Sequence, residues 1–337
     1  MNRYFFSALS CLLLSYACNN SPGINEQSNT IKNMQYELVK NWPQLPAGFV
    51  LGDVTGVGID TAQNIFIFHR ANREWLSVSS IPNTPIAAKT IFELDKTTGK
   101  IINSWGAGLF IMPHGLTVDK DNNIWTTDVG SHQIFKFSHD GVLLMKLGEA
   151  GVPGNDATHF NMPTDVAITN DGSFYVSDGY GNSRVIKFSA SGKYLFEWGK
   201  KGSGPGEFDI PHAIDLDDKG NVYIADREND RVQVFDANGK FLKLFANESF
   251  GNIYSVAVDK TNNKILATDY ISNIISTKGS DIIVFDTTGN IENRFGKSGS
   301  YNGPVCRYHN IAVDTAGNIY VGDILENHIQ KFKRIKP

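Results

Sequence analysis

A seven-residue phrase returns six times along this chain, and its return constrains the fold more than any other feature. It reads VTGVGID from Val54, PHGLTVD from Pro113, PTDVAIT from Pro163, PHAIDLD from Pro211, IYSVAVD from Ile253 and YHNIAVD from Tyr308. After most copies comes a turn (KDNN, NDGS, DKGN, TAGN), then a β-rich run closing on Asp128, Asp178, Asp226 or Asp323, then a third apolar run such as IFKF, VIKF or VQVF. The starts lie roughly 42 to 59 residues apart, the length of a four-stranded propeller blade. One blade cannot bury both faces of its small sheet, so the units must stack in a ring. The expectation is an all-β chain folded as a six-bladed β-propeller.

The second position of the phrase alternates. It reads Thr55, His114, Thr164, His212, Tyr254 and His309 from the first blade to the sixth. In a closed ring of six, alternate blades are related by three-fold symmetry, so equivalent side chains at the starts of their innermost strands converge on the axis. Three imidazoles around one point make a metal site: zinc accepts nitrogen ligands at about 2.0–2.1 Å, and a catalytic zinc keeps three protein ligands and an open fourth position.

The loop entering an innermost strand shares a face with the loop after the second strand. Arg70, Tyr180 and Arg227 occupy that second loop in blades one, three and four, which places two cations and a phenol beside the histidines. Arginine can hold a carboxylate with a two-pronged fork, and a tyrosine beside a metal and cations is a candidate base. His69, His132, His139, His159 and His328 fall outside the repeated slot and read as structural or surface residues.

The repeats place residues 34–337 in one domain. A net charge of −4 over 337 residues, with the signs mixed, gives no basic stripe and argues against nucleic acid as a partner. Residues 1–17 carry an early arginine, an apolar stretch and a small residue before Cys18, the layout of a secretory signal. The apolar part is too short to stay as a membrane span. The run Leu14-Ser15-Tyr16-Ala17-Cys18 resembles the lipobox of bacterial lipoproteins, with Tyr16 as a departure. The expectation is an exported cell-envelope lipoprotein, monomeric, whose only membrane contact is a lipid on Cys18. Residues 18–33 are polar and aperiodic and read as a flexible tether. With Cys11 lost with the signal and Cys18 acylated, Cys306 is left without a partner for an intrachain disulfide.

Two blades carry long insertions at the same loop position. Residues 70–89 of blade one, with Trp75, Leu76, Ile81 and Ile86, read as a cover over the ring's mouth, and residues 270–280 of blade five are the second insertion. Blade six supplies only three strands before the chain ends. Its outer strand is expected from MQYELVKNW near the N-terminus, which would close the ring and protect the exposed edge. The string DRENDRVQVF shows a D-x-x-N-x-R pattern that resembles NHL-type propeller repeats and reads as structural.

From about residue 51 to 332 the chain resembles the peptidyl-α-hydroxyglycine α-amidating lyase family. The strings that carry the resemblance are TGVGID with FHR, PHGLTVDKDNNIWTTDVGSHQIFKF, MPTDVAI with VSDGYGNSRVIKF, and PHAIDL with ADREND. The resemblance implies an axial zinc on His114, His212 and His309, a catalytic tyrosine at Tyr180 and active-site arginines at Arg70 and Arg227. It also implies a structural calcium on the backbone carbonyls of Val57 and Leu116, with Asn310 standing where the family has a carboxylate. That substitution removes a charge, so calcium is expected to bind weakly or give way to water. Arg307 and Tyr308 replace the family's Met-Pro, adding a cation near the pocket, and Gly181 stands where animal members have a cysteine.

The reaction implied is cleavage of a carbinolamide, R-CO-NH-CH(OH)-COO⁻, into an amide and glyoxylate, with a peptide or a small molecule as the R group. Two other readings compete with it. One is a non-catalytic NHL-type propeller binding a protein or glycan through its open face. The other is a hydrolase or lactonase, which would be expected to line the channel with acidic metal ligands where this chain has histidines.

Overall fold

A computed structural model describes residues 35–272, 277–296 and 305–335. The signal, the tether and the lipid-bearing Cys18 expected at residues 1–33 lie outside the described residues. Six antiparallel sheets follow one another along the chain, the first five with their strands in sequence order from the axis outward and the sixth with an outermost strand from near the N-terminus. Their innermost strands are Val54–Ile59, Pro113–Val118, Pro163–Ile168, Pro211–Leu216, Asn252–Asp259 and Tyr308–Val313, so the repeated phrase is the inner strand of every blade.

Alternation along the strands explains how the ring coheres, because successive side chains point to opposite faces of a blade. Phe66 and Phe68 of blade one pack toward Leu116, Phe135 and Phe137 of blade two. Their neighbours Ile65 and Ile67 pack the other way, against Tyr320 and Ile329 of blade six. The same division recurs around the ring, and each of the six gaps between blades holds one apolar cluster. Burying a side chain the size of Phe or Ile is worth about 1.5–3 kcal/mol, and every blade contributes to two clusters. The blades therefore stabilise one another rather than themselves. Hairpin turns in blades two, three and four end on Gly141, Gly192 and Gly239, whose positive φ of 86°, 79° and 78° suits glycine.

Closure comes from the N-terminal side, as the missing strand in blade six requires. Gln35–Leu38 pairs antiparallel with His328–Ile335, from Gln35 opposite Ile335 to Leu38 opposite Phe332. Tyr36 stacks on Phe295 of blade five at 4.8 Å, so the closing strand also grips the neighbouring blade. The insertion of blade five is not an open loop throughout. The second strand of that blade runs on to Ser272 and pairs antiparallel with Thr277–Gly279 as a small hairpin.

Candidate metal centre and active site

Each inner strand meets its second strand with a register shift that straddles the second position of the phrase. The shifts fall at Val54/Gly56, Pro113/Leu116, Pro163/Asp165, Pro211/Ala213, Ile253/Ser255 and Tyr308/Asn310. A residue at such a bulge has no ladder partner, and its side chain can be aimed away from the sheet's alternation. In blades two, four and six that residue is His114, His212 or His309. The three rings come together with centroids 4.6 to 4.8 Å apart.

Their orientation is set by the blades between them. His114 Nδ1 lies 2.7 Å from the carbonyl oxygen of Thr164, His212 Nδ1 2.6 Å from that of Tyr254, and His309 Nδ1 2.8 Å from that of Thr55. A carbonyl oxygen only accepts, so each Nδ1 carries the hydrogen and each Nε2 keeps a lone pair. The non-histidine blades thus supply the orienting carbonyls, the outer-sphere contact that fixes the tautomer of a metal-binding imidazole. Burial holds all three rings well below the usual imidazole range, and nearby positive charge from Arg70, Arg227 and the other imidazoles adds to it. Three buried, neutral imidazoles with ligand atoms within 4.8 Å of one another can hold a metal ion, and the all-nitrogen donor set fits zinc.

Tyr180 reaches the same point. Its hydroxyl lies 3.2 Å from His114 Nε2 and 3.0 Å from His212 Nε2, and it accepts a hydrogen bond from Arg227 Nη1 at 3.1 Å. The imidazole lone pairs can each be used once, by the phenolic hydrogen or by a cation. Arg227 is steadied by Glu228, 2.8 Å from Nε, and its guanidinium lies over the rings of Tyr180 and Tyr254. The ion pair to Glu228 and the contact with Tyr180 coexist. Arg70 is 2% exposed, donates from Nε to the Pro113 carbonyl at 3.1 Å and pairs through Nη1 with Asp53 at 3.0 Å. Burial lowers the Arg70 pKa, opposed chiefly by Asp53.

Two groups at this mouth were not among the site residues expected from the sequence. Trp75, from the insertion of blade one, lies with its ring 5.0 Å from Tyr180 and 4.9 Å from the Arg70 guanidinium. The insertion therefore does reach over the mouth, although Leu76 and Val78 of the same loop are exposed. Tyr254 stands in the repeated slot of blade five, 5.1 Å from His212 and 5.9 Å from His309 between ring centroids. Its position in the phrase was the available signal. Arg307, the added cation, stacks 4.2 Å over Tyr270 and donates to its hydroxyl at 3.0 Å.

The residues expected at a calcium site also meet, but with a different donor set. Val57, Leu116 and Asn310 line one cavity of about 250 Å³ on the axis, together with Asp165 and Asp215. The Asn310 side-chain oxygen is already an acceptor for the Val57 N–H at 2.9 Å, and its amide nitrogen faces Ser255 Oγ at 3.4 Å. A calcium cage needs six to eight oxygens, several of them charged. A neutral amide engaged by backbone does not supply one, so the calcium assignment gains no support here.

Four of the five remaining histidines have hydrogen-bonding structural partners. His69 Nδ1 accepts from the Gly52 and Ala71 N–H groups, each at 3.1 Å, and His132 Nδ1 accepts from Met162 N–H at 3.0 Å. His159 pairs with Asp156 at 2.9 Å and His139 faces Asp60 at 3.4 Å. His328 faces Asp323 at 3.8 Å.

Known proteins resemble this arrangement at two levels. A family model described as a 6-bladed beta-propeller matches residues 154–246, and an NHL repeat model matches residues 110–137. The chain is 35% identical over 339 residues to peptidyl-glycine alpha-amidating monooxygenase B of Xenopus laevis, covering 94% of this chain and 37% of that protein. It thus spans little more than a third of that longer relative. It is 34% identical over 313 residues to peptidyl-alpha-hydroxyglycine alpha-amidating lyase 2 of Drosophila melanogaster, covering 86% of this chain and 73% of that protein. Among solved structures, a streptogramin B lyase superposes with a TM-score of 0.56 at 16% identity, over 90% of this chain and 88% of that one, a likeness of fold.

Proposed function

Because the chain belongs to the peptidyl-α-hydroxyglycine α-amidating lyase family, we propose that it cleaves the C–N bond of an α-hydroxyglycine-type carbinolamide to an amide and glyoxylate. The observation that carries this reading is the meeting of three Nε2 lone pairs, the Tyr180 hydroxyl and the Arg227 guanidinium at one point on the axis.

The bond changes are simple. The substrate's hydroxyl proton goes to a base, the O–H pair becomes the new C=O, the C–N bond breaks and the departing nitrogen takes a proton. Tyr180 is the candidate base, since its oxygen sits at the convergence point with the Arg227 donor on it. Arg227 and Arg70 offer positive charge to a substrate carboxylate, and both are fixed in advance by Glu228 and Asp53. Trp75 covers Tyr180 and Arg70 and would keep water from the reacting carbon. A zinc ion held by His114, His212 and His309 would supply Lewis acidity toward the substrate's oxygens.

A glyoxylate assay on a benzoyl-α-hydroxyglycine substrate, run on metal-replete protein, tests the reading. Release of glyoxylate and benzamide in equal amounts is expected. Metal-replete protein that yields none above buffer would leave a ligand-binding propeller as the better account.

A further inference from the structure

The aspartate near the end of the second strand in blades two to six is a buried carboxyl group, and most of these blades show what satisfies it. Asp178 takes Arg184 Nε at 3.0 Å and Asn182 Nδ2 at 2.7 Å. Asp226 takes Arg231 Nε at 2.7 Å and Asn229 Nδ2 at 2.9 Å, which is the structural content of the D-x-x-N-x-R pattern. Asp269 takes Arg294 Nη2 at 2.8 Å. Asp128 has no arginine and spreads its two oxygens over the N–H groups of Ile111, Met112, Gly130 and Ser131.

Blade six departs from all of these. Asp323, fully buried, gathers the N–H groups of Arg307, Leu325 and Glu326 on Oδ1, at 3.0, 2.8 and 3.4 Å. Its Oδ2 is buried without a hydrogen-bond partner among the described residues. A buried carboxyl oxygen left in that state bears its desolvation cost without compensation. Opposite Asp323 in the ladder stands His328, where blades three and four carry Arg184 and Arg231. Its Nδ1 stops 3.8 Å from Oδ2, too far for a hydrogen bond. Cys306, fully buried just before the inner strand, completes the surroundings, and ligand atoms of Cys306, Asp323 and His328 lie within 4.8 Å of one another.

We propose that blade six holds a second, structural metal ion of the zinc class between Cys306, Asp323 and His328, a cation standing where blades three and four place a guanidinium. One sulfur, one nitrogen and one oxygen form a set that suits a borderline-soft divalent ion. Ligands at about 2.0–2.3 Å from a tetrahedral centre lie about 3.3–3.7 Å apart. Distances of up to 4.8 Å must therefore shorten by about 1.5 Å at most, and His328, with its side chain 32% exposed, has the freedom to supply the movement. On binding, the thiol proton leaves to solvent. The ion would tie the entry to the strand carrying His309 to the turn after Asp323, within the blade assembled from distant parts of the chain. None of this depends on the lyase reading.

Cobalt(II) substitution of the chelator-stripped full chain separates this site from the axial one, because only a sulfur ligand gives a thiolate-to-cobalt charge-transfer band. Two equivalents of cobalt per chain and that band are expected. Cys306→Ser and, separately, His328→Ala should each lower the content to one equivalent and abolish the band. The axial triple replacement of His114, His212 and His309 by Ala should keep one equivalent and the band. One equivalent in the unmodified chain without the band overturns the proposal, as does a band that survives Cys306→Ser, since it would then come from Cys11 or Cys18.

Discussion

Two tiers of the same channel, one to three residues apart along the inner strands, use polar side chains in opposite ways. At the upper tier His114, His212 and His309 satisfy one ring nitrogen on a neighbouring blade's carbonyl and turn the other to the axis. At the lower tier the side chains are consumed by neighbouring backbone. Asn310 accepts from Val57 N–H at 2.9 Å, Asp165 from Ile214 N–H at 3.2 Å, and Asp215 from Val258 N–H at 2.8 Å. Both tiers hold inner strands together, but only the upper one brings a set of imidazole nitrogens, each with its lone pair free of the strands, to one shared point. Ligand capacity on this axis follows from what remains after the strands have been bridged, and not from polarity as such.

The largest expected effect breaks the upper tier. His212→Ala should lose the axial metal and bring glyoxylate release down to the level of buffer, with the far-ultraviolet β signature retained. The Tyr254 carbonyl loses its donor, at a cost of about 1–3 kcal/mol, well short of unfolding a ring held by six apolar clusters. Full turnover in this variant, with metal analysis showing occupancy, would place the chemistry elsewhere.

Tyr180→Phe sharpens the comparison within the upper tier, by separating lone pairs that bind metal from an oxygen that moves a proton. The substitution keeps the ring against Trp75 and both histidines. Metal content and KM should hold, while kcat falls by about a hundredfold to ten-thousandfold, the range for loss of a general base. Unchanged kcat would remove Tyr180 from the chemistry and leave it as packing.

The division between tiers was only half legible before the structure. The alternation of histidine in the phrase is a one-letter signal repeated at blade spacing, and it pointed to the upper tier directly. The bulge that aims those side chains was hidden, because a register shift depends on how two strands pair rather than on either strand's composition. The same holds for the Thr164, Tyr254 and Thr55 carbonyls, since backbone groups carry no sequence signature. Trp75 was visible as an apolar residue in a long loop, but which ring it would cover depends on the loop's path. The closing strand at Gln35–Leu38 was legible by counting, since blade six lacked one strand and the chain had one apolar run to spare. The hairpin of blade five escaped because Ile271 and Ser272 give no alternation long enough to read.

The smallest effect tests whether the lower tier can be turned into the upper kind. Asn310→Asp keeps an oxygen for the Val57 N–H and adds a second, charged oxygen to the cavity that Asp165 and Asp215 also line. Burial pushes Asp165 up to about 8 and raises Asp215 as well, against the pull of their backbone donors, so this cavity resists negative charge without a cation. A third carboxylate should therefore either take up a proton or recruit an ion. With millimolar calcium present, the variant should gain a rise in Tm of several degrees that the unmodified chain lacks, while kcat stays within about twofold. A ligand at a hundred times its Kd stabilises by about 2.7 kcal/mol, and in a ring of about 300 residues each kcal/mol is worth about 1.6 °C. If thermal melts of the variant ignore calcium, then charge at position 310 is not what the lower tier lacks. The limiting factor would instead be that its oxygens are already committed to the neighbouring strands, which is the distinction between the tiers in its strongest form.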